Sequence, residues 1–240
     1  MADRFHRTAL LIGRENINLL KNRRVAVFGV GGVGGHAAEA LCRCGVGVID
    51  VFDGDIVDVT NINRQLVAAD STVGFDKVEV IKARMLDINP DVTVNAYKLF
   101  YLPETADSID LSVYDYVVDA VDTMTAKIEL VCRASSLDVP VICSMGAANK
   151  LDPAAFKVAD IYLTSVCPMA RVMRNELRKR GIKALKVVYS EETPVKHLNE
   201  QASGITSRPP PASISFVPPV AGLILAGEVI KDLISRKEAE

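Results

Sequence analysis

Polar side chains gathered behind a glycine-rich turn suggest phosphate chemistry. The turn is Gly29-Val-Gly31-Gly32-Val-Gly34, preceded by the apolar run Val25–Phe28 and followed by Ala37, Ala38, Ala40 and Leu41 at helical spacing. Strand, glycine turn and helix is the setting in which G-x-G-x-x-G cradles phosphates. The glycines let backbone N–H groups approach the oxygens, and the helix N-terminus adds partial positive charge. About twenty residues further on stands Asp53, where an acid in a dinucleotide fold accepts from a ribose hydroxyl. These features alone fit a nicotinamide oxidoreductase.

The next segment points elsewhere. Asp53-Gly-Asp55-Ile-Val-Asp-Val-Thr-Asn61-Ile-Asn-Arg64-Gln65 is dense in polar groups that hydride transfer does not need. Arg64 and Lys77 can each place a cation on phosphate oxygens, one as a planar fork and one as a point charge. Asp122 closes a predicted strand, at the sheet edge where open α/β folds bind ligands. A carboxylate there could hold Mg²⁺ against a triphosphate. A glycine cradle, two cations and an Asp pair form a site for adenylyl transfer, stabilising charge on the α-phosphate and the departing pyrophosphate. Asp55 is equally suited to capping the turn that follows. A nucleotide-binding protein without catalysis is a third reading.

The elements that must carry these residues alternate. Strands are expected over Val25–Phe28, Val48–Asp53, Val92–Tyr97, Tyr116–Val121 and Val139–Ser144. Helices are expected from about Gly32 to Cys44, Lys77 to Asn89 and Thr125 to Leu137. Such alternation predicts an α/β fold: a doubly wound, Rossmann-like, mostly parallel sheet. Residues 1–23 read as a helical lead-in anchored by Leu10, Leu11, Ile17 and Leu20. Past Gly146 the pattern changes to a strand Phe156–Ile161, a basic helix Pro168–Arg180 and a strand Leu185–Ser190. A flexible loop over about 191–211, a short strand Ser213–Phe216 and a helix from Pro219 to about Ser235 follow. This is read as a C-terminal α/β extension packed on the first half. The whole chain, 1–240, is then one domain with an ATP-binding half, 1–146, and a substrate and dimer half, 147–240.

Composition narrows the function further. With 49% apolar residues in 240, a large core is expected, and a net charge of −2 excludes a global polycation. A nucleic-acid partner would need a local basic patch. The absence of Trp argues against a base-stacking platform. Five cysteines without a C-x-x-C pair make a poor disulfide framework and a poor zinc site, so a reduced cytoplasm is expected and zinc is not. The N-terminus has no apolar signal segment. The run Val220–Ile230 is broken by Glu228 and is too short to span a bilayer, so no membrane partner is expected.

The ordered set Gly29-Val-Gly31-Gly32-Val-Gly34, Asp53-x-Asp55, Asn61-x-x-Arg64-Gln65, Lys77 and Asp122 resembles the ubiquitin-activating-like adenylation family that includes ThiF, MoeB and HesA. The likeness is strong from residue 4 to about residue 146. It implies that Asp53 binds the ATP ribose. Asn61, Arg64 and Lys77 surround the phosphates, Asp55 and Gln65 belong to the same ATP site, and Asp122 is the Mg²⁺-linked carboxylate. Arg4-Phe-His-Arg7 resembles the family's Arg-x-x-Arg lead, which implies a homodimer in which Arg7, rather than Arg4, reaches the partner's site. Arg64, Lys77, Asp122 and Arg7 would then be the catalytic set.

Two departures refine the resemblance. Members that activate sulfur-carrier proteins usually hold zinc through C-x-x-C pairs and often carry an attacking cysteine; this chain has no such pairs. Its later motifs are Gly146-Ala-Ala-Asn-Lys-Leu-Asp152-Pro153, Thr164-Ser-Val-Cys-Pro168, Leu185-Lys-Val-Val-Tyr-Ser190 and Ser213-Ile-Ser-Phe-Val-Pro218. They look like the branch of tRNA threonylcarbamoyladenosine dehydratases (TcdA, also CsdL). Some of that branch carry a cysteine near the position of Ser213–Ser215, and this chain does not. The branch implies that ATP activates the carboxylate of threonylcarbamoyladenosine in tRNA and that ring closure then expels AMP. The adenylation of a sulfur-carrier or ubiquitin-like protein tail is the alternative, and a sulfur-transfer protein is a further partner the family admits. Arg171, Arg174 and Arg178 recur on one helix face, with Arg180, Lys183 and Lys186 extending it. This is either the tRNA-backbone contact or a solvated face. Cys167, before Pro168 at a helix start, is read as a small turn residue rather than a reactive thiol.

Overall fold

The computed structural model describes residues 3–195 and 211–235. Seven strands make one sheet in the order β3-β2-β1-β4-β5-β7-β6. They are β1 (Arg24–Phe28), β2 (Val48–Phe52), β3 (Thr93–Tyr97), β4 (Tyr116–Asp119), β5 (Val141–Ser144), β6 (Phe156–Asp160) and β7 (Lys186–Ser190). All pairings are parallel except β6 with β7. The doubly wound α/β sheet is therefore present, and the second half of the chain adds two strands to it.

The strand order reverses at β1, which lies between β2 and β4. Chains leaving the carboxyl ends of β1 and β4 diverge there and leave a crevice, the usual ligand position of open α/β sheets. Strand alternation fills both faces. Val25 and Val27 point into a core shared with α3 (Gly34–Cys44), α4 (Lys77–Ile88) and α7 (Val217–Ser235). Ala26 and Phe28 point into the opposite core, with α5 (Met124–Ser136) and Tyr101, Leu111 and Tyr114. A third cluster joins α6 (Pro168–Lys179) to β5 and β7 through Met173, Leu177, Cys143 and Val187.

Two expectations change. The lead-in is two helices, α1 (His6–Ile12) and α2 (Arg14–Lys21), broken at Gly13. Ile17 and Leu20 are buried as expected, but Leu10 and Leu11 are 76% and 85% exposed. The turn at Gly13 directs their face away from the sheet, and Phe5 supplies the anchor instead. Ser213–Phe216 is not a strand, because its neighbour Ala212 exchanges hydrogen bonds with Asn149 (2.8 Å each) instead of joining a ladder. Most of the expected loop, 196–210, lies outside the described residues.

Candidate active site

The glycine turn is shaped by close approach. Gly29 has φ +85°, and a Cβ on Gly34 would lie 1.8 Å from the Gly29 carbonyl oxygen. Only glycine lets α3 start against the strand end. No side chain caps the first turn of α3; its Gly35 N–H bonds back to the Gly31 carbonyl at 3.1 Å, and the partial positive charge of the helix start still favours an anion. Asp53, just past β2, braces this turn: its carboxylate accepts from the N–H groups of Val30 (2.8 Å) and Asp55 (2.9 Å). Burial pushes the Asp53 carboxyl above its ordinary range, while those two donors and Lys77 pull the other way.

The segment between β2 and α4 folds back over the crevice in short 3-10 turns, held by a bridge between Ile56 and Asp76. Asp58 caps the turn Val59–Asn61, and the buried Asn61 returns a bond by accepting from the Asp58 N–H. Asp55 caps nothing with its side chain. Its carboxylate instead pairs with Lys77 at 2.8 Å, where Lys77 is 5% exposed at the first turn of α4. Arg64 donates to the Thr60 carbonyl (3.1 Å) and to Asn63 Oδ1 (2.9 Å). Asp122 is exposed, with only a long contact from Thr123 Oγ1 (3.4 Å).

These residues converge on one cleft of about 940 Å³. Gly29, Gly31, Gly32, Asp53, Asp55, Asn61, Arg64, Gln65, Lys77 and Asp122 all line it; Gly34 lies behind, in the helix–strand contact. Three buried polar atoms in its walls have no hydrogen-bond partner among the described residues: Gln65 Oε1, Tyr101 Oη and Ser213 Oγ. An unmet buried polar atom costs about 1–3 kcal/mol, so three in one cleft point to a polar ligand. Sequence reasoning missed the apolar wall made by Phe52, Phe100 and Tyr101. Phe52 stacks on Phe28 at 4.4 Å and on Tyr97 at 4.6 Å. The aromatic residues at the end of β2 and after β3 were the available signal. Such a wall suits the faces of a purine.

A second omission is Lys127. It is fully buried on α5, 2.8 Å from the equally buried Asp119, and it donates to the Val121 carbonyl at 3.0 Å. The pair fastens the turn that carries Asp122. For a magnesium nucleotide, one free carboxylate beside a phosphate cradle fits the ion's habit of keeping waters and phosphate oxygens as its other ligands.

Other singled-out residues lie outside the cleft. Arg7 is exposed on α1 and makes no ion pair or hydrogen bond among the described residues, whereas Arg4 donates to the Ile88 carbonyl at 2.8 Å. Arg171 and Arg178 are exposed on α6, with Arg178 lying over Tyr162 at 5.3 Å, and Lys183 is exposed beyond the helix. Arg174 is half-buried and donates to the Thr164 carbonyl at 3.0 Å. Arg180 pairs with Glu176 (2.6 Å), and Lys186 turns to Asp232 (2.7 Å) and Glu228 (3.3 Å). Neither extends a free basic face. Cys167 is 2% exposed.

Comparison with known proteins fits this geometry. Residues 5–240 match the ThiF family. The chain belongs to the ThiF family. It is 49% identical over 243 residues to the tRNA threonylcarbamoyladenosine dehydratase of Bacillus subtilis, covering 98% of this chain and 96% of that one. The crystal structure of the Escherichia coli tRNA N6-threonylcarbamoyladenosine dehydratase, TcdA, in complex with AMP superposes with a TM-score of 0.90 at 30% identity, covering 99% of this chain and 96% of that chain. The ATP complex of that enzyme gives 0.87 at 29% identity with the same coverage. The ThiF assignment covers both halves of this chain, including the β6–β7 extension.

Proposed function

We propose that this chain is an ATP-dependent, AMP-forming tRNA threonylcarbamoyladenosine dehydratase. The observation that carries the reading is the single cleft, with phosphate-binding groups on one wall and residues 144–148 and 211–218 on the other. No cysteine lines it among the described residues. Chemistry that ends in ring closure needs no thiol relay; transfer to a protein tail through a thioester does.

ATP lies with its phosphates over Gly29–Gly32 and the first turn of α3, its ribose at Asp53 and its base on the aromatic wall. Arg64 and Lys77 meet the developing negative charge on the α-phosphate and pyrophosphate. Asp122 is the residue that would hold Mg²⁺, which supplies charge neutralisation to the phosphates. The carboxylate of the threonylcarbamoyl group attacks the α-phosphorus, and pyrophosphate leaves. A nucleophilic atom of the same modification then attacks the activated carbonyl, forming the ring and releasing AMP. The balance is one water lost from the tRNA for one ATP cleaved to AMP and pyrophosphate.

Residues 1–146 form the ATP-binding half and 147–240 the half that receives tRNA. The exposed Arg171, Arg178 and Lys183 serve as phosphate contacts, with Arg174 holding the Thr164 loop beside them. A homodimer is supported by the exposed Leu10 and Leu11 on the same short helix as Arg7. No helix among the described residues is long and apolar enough to cross a membrane, and a tRNA substrate supports a cytoplasmic enzyme.

The deciding experiment is mass spectrometry of threonylcarbamoyladenosine-containing tRNA incubated with protein and Mg-ATP. Loss of one water with matching AMP is expected. AMP formation only with a Gly-Gly-terminated carrier protein would favour the sulfur-carrier alternative, and dependence on an added sulfur-transfer protein would assign that partner. Tight NADH binding without ATP affinity would favour an oxidoreductase, and ATP binding without AMP under any substrate a nucleotide sensor.

A further inference from the structure

The wall opposite the nucleotide half holds a hydroxyl with no partner among the described residues. Ser213 Oγ is buried and unpaired, and Ser213 lines the cleft. A hydroxyl can rotate to find an acceptor nearby, yet it has no partner among the described residues. Its backbone, by contrast, is fixed on both sides. Asn63 Nδ2 donates to the Ser213 carbonyl at 3.0 Å. Asn149, held at φ +59°, donates its N–H to the Ala212 carbonyl and accepts from the Ala212 N–H, each at 2.8 Å.

Asn63 also ties this wall to the phosphate side, because its Oδ1 accepts from Arg64 at 2.9 Å. Gly32 sits between the two groups: a Cβ there would lie 3.3 Å from Arg64 Cγ and 3.2 Å from Pro218 Cβ. One amide therefore links the Arg64 guanidinium to the Ser213 backbone, and both residues line the cleft. Asp53 and the aromatic wall serve the other end of the nucleotide.

We propose that Ser213 is an acceptor-binding residue whose hydroxyl donates to the carboxylate of the incoming modification and holds it for attack on the α-phosphorus. This rests on the dehydratase reading and goes beyond it by naming the group that meets the second substrate. The carboxylate is the fitting partner: it is acceptor-only, negatively charged and must come to the α-phosphate, where Arg64 already offsets charge. A hydroxyl donating to an ionised oxygen makes one of the stronger neutral-to-charged bonds.

The test compares Ser213→Ala with the wild type on modified tRNA, measuring tRNA KM, kcat, ATP affinity by equilibrium binding and thermal stability. The expected result is a fall of about tenfold or more in kcat/KM for tRNA. ATP affinity should stay within error, and stability should be unchanged or higher, since the hydroxyl makes no internal bond. Ser213→Thr, which keeps the hydroxyl, should recover part of the activity. Unchanged kcat/KM for tRNA would overturn the assignment. A parallel loss of ATP affinity would also overturn it by moving Ser213 to the nucleotide. A fall in stability matching the activity loss would make Ser213 a structural residue. If the wild-type enzyme itself fails to dehydrate the tRNA, the dehydratase reading falls, a result distinct from any of these.

Discussion

Lys77 holds its ammonium 2.8 Å from the carboxylate of Asp55, with the lysine side chain 6% exposed and the aspartate 53% exposed. The cation is thus delivered from the base of the cleft, and its partner stands on the rim. A triphosphate that reaches Lys77 competes with Asp55 for the same proton donors. Lys77→Ala should cut kcat/KM for ATP by about a hundredfold. Asp55→Asn should instead leave ATP bound at least as well and lower stability by about 1 kcal/mol, a small figure because the rim carboxylate is solvent-screened. Steady-state kinetics with urea unfolding separates the two. Equal kinetic losses from both substitutions would refute the division of roles.

The buried pair Asp119–Lys127 predicts a stability effect. Both side chains are fully buried, and the lysine also serves the Val121 carbonyl. Lys127→Met removes the cation but leaves an unpaired buried carboxylate, which costs about 3–5 kcal/mol. Removing both charges with Asp119→Leu and Lys127→Met should cost less than the sum of the single changes. Chemical denaturation of the four proteins gives the coupling, and simple additivity would contradict the pairing.

Much of the site was legible because its residues act by type and order along the chain. Gly29, Gly31, Gly32, Asp53, Arg64, Lys77 and Asp122 all reach the cleft, while Gly34 lies behind it in the helix–strand contact. Lys127 was not legible: a lysine in a helical run reads as solvated surface until the sheet edge beneath it is known. Leu10 and Leu11 misled for the opposite reason, since apolar side chains on a short lead-in read as anchors. Ser213–Phe216 alternates like a strand, yet hydrogen bonding between Asn149 and Ala212 replaces a ladder there. The basic face was partly legible. Spacing put three arginines together but could not show that Arg174 binds the Thr164 backbone or that Lys186 pairs across to α7.

Asp53 predicts two opposed pH responses. Burial raises its carboxyl pKa in the folded protein. The folded state therefore binds the proton more tightly than the unfolded chain, whose aspartate titrates near about 3.9. The resulting stabilisation is complete below that unfolded value and is lost as pH rises through the folded one. ATP affinity should move the other way, weakening as the carboxylate that accepts the ribose hydroxyl protonates. Urea midpoints and ATP titrations from acidic to neutral pH should show crossing trends in the wild type. Asp53→Asn should flatten the stability trend; an unchanged slope would show that another group controls it.

The exposed arginines of α6 predict a salt-dependent effect. Arg171→Glu combined with Arg178→Glu should weaken tRNA binding by about tenfold or more. The salt slope should fall by about one for each phosphate that an arginine no longer neutralises. ATP binding should persist, because neither residue lines the cleft. Arg174→Ala should act differently, loosening the Thr164 loop and lowering thermal stability. Filter binding across a salt series tests the first statement. A tRNA affinity indifferent to the double reversal would leave this face merely solvated.

Arg7 is exposed on α1, outside the cleft, while Arg4 is already engaged by the Ile88 carbonyl. If Arg7 completes the active site of a second subunit, Arg7→Ala and Asp122→Ala each inactivate a homodimer for different reasons. One loses the donated cation and the other the receiving carboxylate. Mixing and reassociating the two variants creates heterodimers in which one site has an intact Asp122 and receives an intact Arg7 from its neighbour. AMP formation should return in the mixture and in neither parent, and it should rise with time under conditions that exchange subunits. An arginine acting within its own subunit gives no such recovery, because each site would still lack one of the two groups. The same mixture with Arg4→Ala in place of Arg7→Ala should behave as Asp122→Ala diluted with active enzyme, because Arg4→Ala retains activity by itself.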